Sequence, residues 1–211
     1  EIQFGNVKRP THKNTSWDRA RFEVCAHKWA DLSEPGYGVA LMNDCKYGYD
    51  VHEGVMGLTL IKSGIFPNPD ADQGQHEFTY ALFPHQGDFR KGSVVREAYD
   101  LNCPMAWEKV QGIYEDSFSM LQIAEENVMA DTVKAAEDGN GIIVRIYETW
   151  GMRTKVHVNF PLAPDAQVTV CDCMENFSGV ENADMTRAQD GWSFTMKPYE
   201  IKTLRIVNEK K

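Results

Sequence analysis

The sequence predicts an all-β protein built from two packed β-sandwiches, or from one and a half. Short runs in which apolar and polar residues alternate recur along the whole chain, as expected for strands with one buried face. Clusters of Gly, Pro, Asn and Asp separate these runs at the spacing of sandwich turns. At 211 residues the chain is long enough for one large domain or two small ones, with a core that needs no cross-links.

The first half contains four alternating segments. Their apolar faces consist of Phe22, Val24 and Ala26, then Tyr37, Val39 and Leu41, then Leu58 and Leu60, and finally Phe78, Tyr80 and Leu82. Residues 21–29 and 76–83 are each expected to form one continuous strand. The stretch rich in Pro, Asp and Gly at 67–74 predicts a long loop, which in a compact domain is often functional.

The second half continues the pattern with a β-branched and aromatic run at 142–150. Further apolar faces consist of Val156, Val158 and Phe160, then Val168 and Val170, then Trp192, Phe194 and Met196, and finally Leu204 and Ile206. Residues 138–141 are the clearest hairpin signal, because Gly and Asn accept positive φ. Only residues 125–137 have a composition that suits a helix, and Asn127, Asp131 and Thr132 make strand or loop equally expected there.

A domain boundary is expected between about 110 and 118, where dense polar loops give way to plainer short strands. We therefore divide the chain into residues 1–112 and 113–211. The chain opens at Glu1 without a Met, as if within a strand, which suggests a piece of a longer protein.

Charge and cysteine content exclude several classes of function. The net charge of −9 argues against a phosphate-binding surface for nucleic acid, which rests on clustered Lys and Arg. No apolar run is long enough to span a membrane. The five cysteines form no CxxC pair, so reduced thiols in a reducing compartment fit better than a secreted disulfide scaffold.

The most informative cluster of polar residues comprises Arg9, His12, Asn14 and Asp18, which precede a predicted strand. Binding residues often lie on such a loop. One alternative is that these side chains bond one another and order the loop. A second is that their donors bind a polyhydroxylated ligand. A third is that His12 and Asp18 act as an acid–base pair, although spacing alone does not establish that geometry.

Other clusters favour structural roles. His76 and His85 would lie about 30 Å apart along an extended run, too far to share a metal. Cys171 and Cys173 would be neighbours on one strand face, as buried or half-buried thiols without further metal ligands. Residues 43–48 could line a cleft or form a turn held by Asn and Asp side chains. Most of the five tryptophans are expected in the core.

Residues 4–18, FGNVKRPTHKNTSWD, resemble the α-mannosidases of glycoside hydrolase family 38, in the cytosolic and vacuolar branch. The resemblance continues through residues 20–23, 26–29, 31–34, 38–41, 43–48 and 76–82. Residues 143–148 are similar to a strand near the C-terminus of the family. The motifs are specific over most of residues 4–100 and looser beyond.

The resemblance implies a C-terminal, non-catalytic region of a retaining hydrolase of terminal α-mannosides. Residues 1–112 would be part of a galactose-mutarotase-like supersandwich that begins upstream, and residues 113–211 a smaller immunoglobulin-like sandwich. The carboxylate nucleophile and a divalent metal, zinc or cobalt, would lie in an N-terminal catalytic domain, so we expect no catalytic residue, metal ligand or cofactor here. That domain and a mannoside would be the partners, without nucleic acid or membrane, in the cytoplasm; homo-oligomer formation is left open.

The resemblance also gives the first polar cluster a role. Arg9, His12 and Asn14, with Asp18 as a weaker candidate, would border the substrate cleft. Two alternatives remain open at this stage. One is an autonomous carbohydrate-binding module. The other is a mutarotase-like epimerase, which would need histidines and a Glu or Asp to converge in one concave sheet, so His12, His27 and His76 could not lie well apart.

Overall fold

The computed structural model describes residues 1–112, 116–177 and 184–208. The chain divides into two compact units, Glu1–Glu108 and Lys109–Lys211. The prediction of an all-β chain is confirmed, with antiparallel sheets in both units. In the described part of the chain, no helix has both the length and the apolar character needed to cross a membrane.

The first unit contains two three-stranded antiparallel sheets. Its strands are β1 Val24–Cys25, β2 Trp29–Ser33, β3 Tyr37–Asn43, β4 Gly48–His52, β5 Val55–Thr59 and β6 Tyr80–Gln86. One sheet has the order β1-β4-β5 and the other the order β2-β3-β6. Ala26, Leu41 and Tyr49 form a buried cluster to which Met56 and Leu58 add, so residues of both sheets share one core.

Two helices occur among the described residues, and both belong to the first unit: α1 Ser16–Ala20 and α2 Val94–Asn102. Val94, Val95 and Ala98 form the buried face of α2. Just before α2, the Phe89 ring stacks on Trp29 of β2 with centroids 5.2 Å apart. Helix α2 thus packs its apolar face against strands β2 and β3.

The second unit is a sandwich of two four-stranded antiparallel sheets. Its strands are β7 Gln122–Ile123, β8 Val128–Ala135, β9 Ile142–Glu148, β10 Thr154–Asn159, β11 Gln167–Cys171, β12 Thr186–Ala188, β13 Gly191–Met196 and β14 Ile201–Val207. The sheet orders are β12-β13-β10-β7 and β11-β14-β9-β8. Buried residues of both sheets, including Ile146, Val158, Phe194 and Leu204, form a single core, as alternation predicts.

The expectation that only residues 125–137 suit a helix is wrong, and in that segment the strand alternative is confirmed. Residues 128–135, within the only segment judged suitable for a helix, form strand β8, which pairs with β9 along its length. The longer of the two described helices is α2, at Val94–Asn102. Its signal was present, since Val94, Val95 and Ala98 have helical spacing. In β8, burial against the opposite sheet overrides weak local propensity.

Two strand predictions differ from the structure in extent. Residues 21–29 form no single strand, because Val24 and Cys25 pair with β4 whereas Trp29 begins β2 and pairs with β3. The chain changes sheets between these points. Strand β6 begins at Tyr80 rather than at residue 76, opposite Asn43 at the end of β3. Pairing partners, which alternation does not encode, set both boundaries.

Most of the five tryptophans were expected in the core, and three of them, Trp29, Trp150 and Trp192, are buried or half-buried. Trp29 is buried and Trp192 packs partly against the second core. Trp17 and Trp107 are 75% and 88% exposed, respectively. The assignment of residues 1–112 to a mutarotase-like sandwich and of residues 113–211 to an immunoglobulin-like one stays a prediction.

Candidate functional site

The loop before α1 forms one wall of a cavity of about 310 Å³ in the first unit. The remaining walls come from α1, the residues that follow it, β1 and β4. The lining residues are Val7, Lys8, Arg9, Pro10, Thr11, His12, Lys13, Asp18, Arg21, Phe22, Val24 and Val51. Three of the four predicted cleft residues therefore line one cavity.

Helix α1 begins with a capping box that holds Asp18 in place. The Thr15 side chain accepts a hydrogen bond from Asp18 N at 3.1 Å, and Asp18 Oδ2 accepts one from Thr15 N at 3.0 Å. The Asn14 N–H donates to the same carboxylate oxygen at 3.2 Å. A Thr followed three residues later by an acidic residue is a helix-start signal, so the sequence carried a local signal for α1.

These backbone donors also determine the charge of Asp18. The hydrogen bond from the Thr15 N–H, followed by the contact with the Thr15 side chain, lowers the pKa of Asp18. The carboxyl therefore stays ionised at neutral pH. His12 Nδ1 lies 3.4 Å from Asp18 Oδ2. An ionised Asp18 suits the positioning of His12 and does not suit proton donation.

Two contacts tie the loop to the sheet carrying β1 and β4. Arg9 Nη2 donates a hydrogen bond to the Cys25 carbonyl of β1 at 3.0 Å. His52 Nδ1 of β4 lies 3.2 Å from the Thr11 carbonyl. The guanidinium and imidazole groups of the loop thus project from a segment anchored on a rigid sheet, as binding groups require.

Asn14 differs from the other three candidates. It is exposed, its backbone N–H bonds to Asp18, and it is absent from the cavity lining. Lys8, Lys13, Arg21 and Phe22 also line the cavity, and none of them was among the predicted cleft residues. The signal for Lys8, Lys13 and Arg21 was a local density of basic residues between positions 8 and 21.

The histidines outside the cavity have local partners. His85 Nε2 lies 2.7 Å from Asp31 Oδ1, and both side chains are buried. His76 Nε2 lies 2.7 Å from the Asp72 carbonyl oxygen. The His27 ring lies edge-on to the Tyr47 ring. None of these three histidines lines the cavity with His12, so the convergence that an epimerase would need is not found there.

Residues 43–48 form a turn held by side chains. Asn43 Oδ1 accepts hydrogen bonds from Cys45 N, at 3.0 Å, and from Lys46 N. Its Nδ2 donates to the His27 carbonyl at 3.1 Å and to the Tyr49 hydroxyl. Asp44 Oδ1 accepts from Thr79 N at 2.9 Å. The turn alternative is thus the one that the structure supports.

The two thiols at 171 and 173 do not share a strand. Strand β11 ends at Cys171, which is buried, while Cys173 is exposed. Asp172 closes the turn, because its Oδ1 accepts from Met174 N and Asn176 N, each at 2.8 Å. The expectation of a buried or half-buried thiol is therefore confirmed for Cys171 and wrong for Cys173, and the two thiols do not share a strand face. Among the described residues, no group of three His, Cys, Asp or Glu side chains could hold a metal ion.

Two family models match the chain. Residues 1–70 match the glycosyl hydrolases family 38 C-terminal domain, and residues 127–204 match the glycosyl hydrolases family 38 C-terminal beta sandwich domain. The chain belongs to the C-terminal region of glycosyl hydrolase family 38. The second match contains most of the eight-stranded sandwich, and the first contains the cavity loop.

Similar proteins match the family 38 region along nearly its whole length. Alpha-mannosidase G of Dictyostelium discoideum is 40% identical over 99% of the chain, and human Alpha-mannosidase 2C1 is 39% identical over 98%. The Alpha-mannosidase of Saccharomyces cerevisiae is 38% identical over 98%. The chain covers 19%, 20% and 21% of these relatives, respectively, about a fifth of their length.

Solved structures support the same fold. The chain matches an alpha-mannosidase from Enterococcus faecalis V583 with a TM-score of 0.74 over 96% of its length, at 20% sequence identity. A second Enterococcus faecalis protein of glycosyl hydrolase family 38 matches with a TM-score of 0.72. The chain covers 23% and 24% of these structures, respectively. At this identity the likeness establishes the fold alone.

Proposed function

We propose that this chain is the C-terminal region of an α-mannosidase that hydrolyses terminal α-mannosides with retention of configuration. The observation that carries the proposal is the match, at 38–40% identity over 98–99% of the chain, to proteins named alpha-mannosidases. The chain spans about a fifth of their length. A retaining mechanism needs two carboxyl groups about 5–5.5 Å apart, and the proposal assigns these groups to a catalytic domain outside this chain.

The same proposal assigns the metal, zinc or cobalt, to that domain. It is supported by the described residues, among which no group of three His, Cys, Asp or Glu side chains could hold a metal ion. The partners of this region would then be its own catalytic domain and the mannoside. We further propose a cytoplasmic setting, which the five cysteines without a disulfide suit.

Within this function, the cavity loop would border the substrate cleft. Arg9 and His12 carry N–H donors that suit sugar hydroxyls, and Asn14 lies beside them on the loop. Asp18 would act through His12, because its carboxylate already accepts two backbone hydrogen bonds. The loop would supply binding and carbohydrate specificity, while bond cleavage would take place elsewhere.

Two assays with an aryl α-mannoside test the proposal. The 211-residue chain alone should give no turnover above the blank, because it lacks the nucleophile and metal; metal-dependent hydrolysis by this chain would refute the assignment. A longer natural protein carrying this region should hydrolyse the mannoside.

In that longer protein, Arg9→Gln should lower kcat/KM by about tenfold, the effect of about 1.4 kcal/mol in transition-state binding. The matched control is Lys62→Gln, which removes one charge from an exposed position outside the cavity lining. Equal activity of the two variants would contradict the role of Arg9.

A further inference from the structure

The cavity concentrates positive charge in an acidic chain. The whole sequence carries a net charge of −9. The lining nevertheless contains four permanent cations, Lys8, Arg9, Lys13 and Arg21, together with His12. Asp18 is the single carboxylate among the lining residues. The negative net charge of the chain argues against an extended basic surface, but the charge that lines this cavity is locally positive.

The cavity carboxylate offsets only part of this charge. Asp18 is only slightly exposed, and it accepts two backbone hydrogen bonds and lies against His12. Arg9 is oriented by the Cys25 carbonyl, a neutral acceptor. Lys8, Lys13 and Arg21 have no salt bridge to any residue within the described ranges. Cations that line a concavity without carboxylate partners favour an anionic ligand.

Apolar groups complete the wall. Val7, Pro10, Val24 and Val51 line the cavity beside the cations. The Phe22 ring also lines it and is 67% exposed. An exposed aromatic ring can pack against the apolar face of a sugar ring, so the wall suits a ligand that joins an anion to a small ring. The volume of about 310 Å³ is at the lower end for small-molecule sites.

We propose that this cavity binds a phosphate group carried by a sugar. Lys8, Lys13 and Arg21 would contact the phosphate oxygens. Arg9, fixed by its hydrogen bond to the Cys25 carbonyl, would lie beside them. Phe22 would contact the sugar ring. Arg suits phosphate through paired N–H donors and Lys as a point charge. The inference uses the cavity of the proposed function and names a ligand chemistry for it. It requires no hydrolysis.

Calorimetric titration of the 211-residue chain tests the inference with three probes: mannose 6-phosphate, mannose and inorganic phosphate. Mannose 6-phosphate should bind at least tenfold more tightly than mannose, because only the phosphate meets the cations. Raising NaCl from about 50 to 500 mM should weaken its binding several-fold, since salt screens exposed charges. Equal affinity for mannose and mannose 6-phosphate, or no binding of either, would overturn the proposal.

Inorganic phosphate identifies the source of the anion. Binding weaker than that of mannose 6-phosphate supports a sugar phosphate. Binding of equal strength means that the cavity takes free phosphate, which overturns the sugar half of the proposal and the role of Phe22.

Single-charge variants locate the site. Arg21→Gln and Lys13→Gln should each weaken mannose 6-phosphate binding by at least fivefold. Lys62→Gln, which removes the same charge outside the cavity lining, should leave it unchanged. Equal effects of all three would indicate general attraction rather than a site and would refute the proposal. Circular dichroism of each variant verifies that it is folded.

The two proposals fail separately. If this chain does not bind mannose 6-phosphate, the mannoside assay of the longer protein still tests the proposed function. Absence of mannoside hydrolysis in the longer protein would leave the binding result of this chain intact.

Discussion

Glu148, at the end of β9, is a fully buried carboxylate whose acceptors are saturated. Oε1 accepts hydrogen bonds from the Trp150 N–H at 2.8 Å and from Asn127 Nδ2 at 2.9 Å. Oε2 accepts from the backbone N–H groups of Gly151, Met152 and Tyr199, at 2.8, 3.1 and 3.0 Å. One side chain thus joins the β9–β10 turn to the segment before β14.

Replacing Glu148 should destabilise the chain strongly. Glu148→Ala leaves five N–H groups without their acceptor, and we expect a loss of about 3–5 kcal/mol in the free energy of unfolding. Glu148→Gln retains one acceptor oxygen but turns an NH₂ toward N–H donors, and we expect a loss of about 2 kcal/mol. Urea titration followed by circular dichroism measures both.

The matched control for Glu148 is Asp165→Asn, which removes a carboxylate charge from an exposed turn position of the same unit. Its effect should be within about 0.5 kcal/mol. A Glu148→Ala variant as stable as this control would show that the buried carboxylate is dispensable.

At the scale of elements, the predicted hairpin signal at residues 138–141 lies in the turn that joins β8 to β9. Ala135 pairs with Ile142, and the Ala136 N–H donates to the Gly141 carbonyl at 3.0 Å. Gly139 and Gly141 both have positive φ, 73° and 97°. Around Gly139 there is open space, whereas a Cβ on Gly141 would collide with the backbone oxygen of Ile206 in β14.

Alanine substitutions in this turn should therefore differ in cost. Gly139→Ala incurs the positive-φ penalty alone, about 1 kcal/mol. Gly141→Ala adds a clash with backbone that cannot rotate away, and we expect a loss of about 3 kcal/mol or more. Thermal unfolding of the two variants measures the difference. Equal melting temperatures would contradict the placement of Gly141 against β14.

Elements whose signal is local were predictable, and elements defined by partners were not. Strand β10 places Val156 and Val158 in the core, as alternation predicts. Helix α1 carried a readable cap at Thr15, and α2 carried helical spacing. By contrast, nothing in residues 21–29 indicates that the segment leaves one sheet for the other, because both sheets accept the same alternation.

At the scale of the whole molecule, the five cysteines differ in exposure. Cys25, Cys45, Cys103 and Cys173 are exposed, Cys171 is buried, and none of these five described residues forms a disulfide. A hydrogen bond to the Asp44 side chain raises the pKa of the Cys45 thiol. Reactivity follows the thiolate, so these thiols should differ in rate.

Titration of the native chain with an aromatic disulfide reagent at pH 7.5 should modify the exposed thiols and leave Cys171 unmodified until denaturant is added. Among the exposed thiols, Cys45 should react slowly, because its raised pKa leaves less thiolate. Asp44→Asn should speed that reaction several-fold, whereas Asp165→Asn should not. Mass spectrometry of labelled peptides assigns the rates. Rapid labelling of Cys171 in the folded chain would contradict its burial.

The sequence by itself determined the β class, most strand faces, the hairpin at 138–141 and the family likeness, because each depends on neighbours in the chain. It also brought Arg9, His12 and Asp18 together as candidates. Only the tertiary structure decided that Lys8, Lys13, Arg21 and Phe22 share a cavity with them, and that Glu148 accepts five hydrogen bonds. Those facts depend on which distant segments of the chain come into contact. Neither the net charge nor the alternation of apolar residues carries information about such contacts.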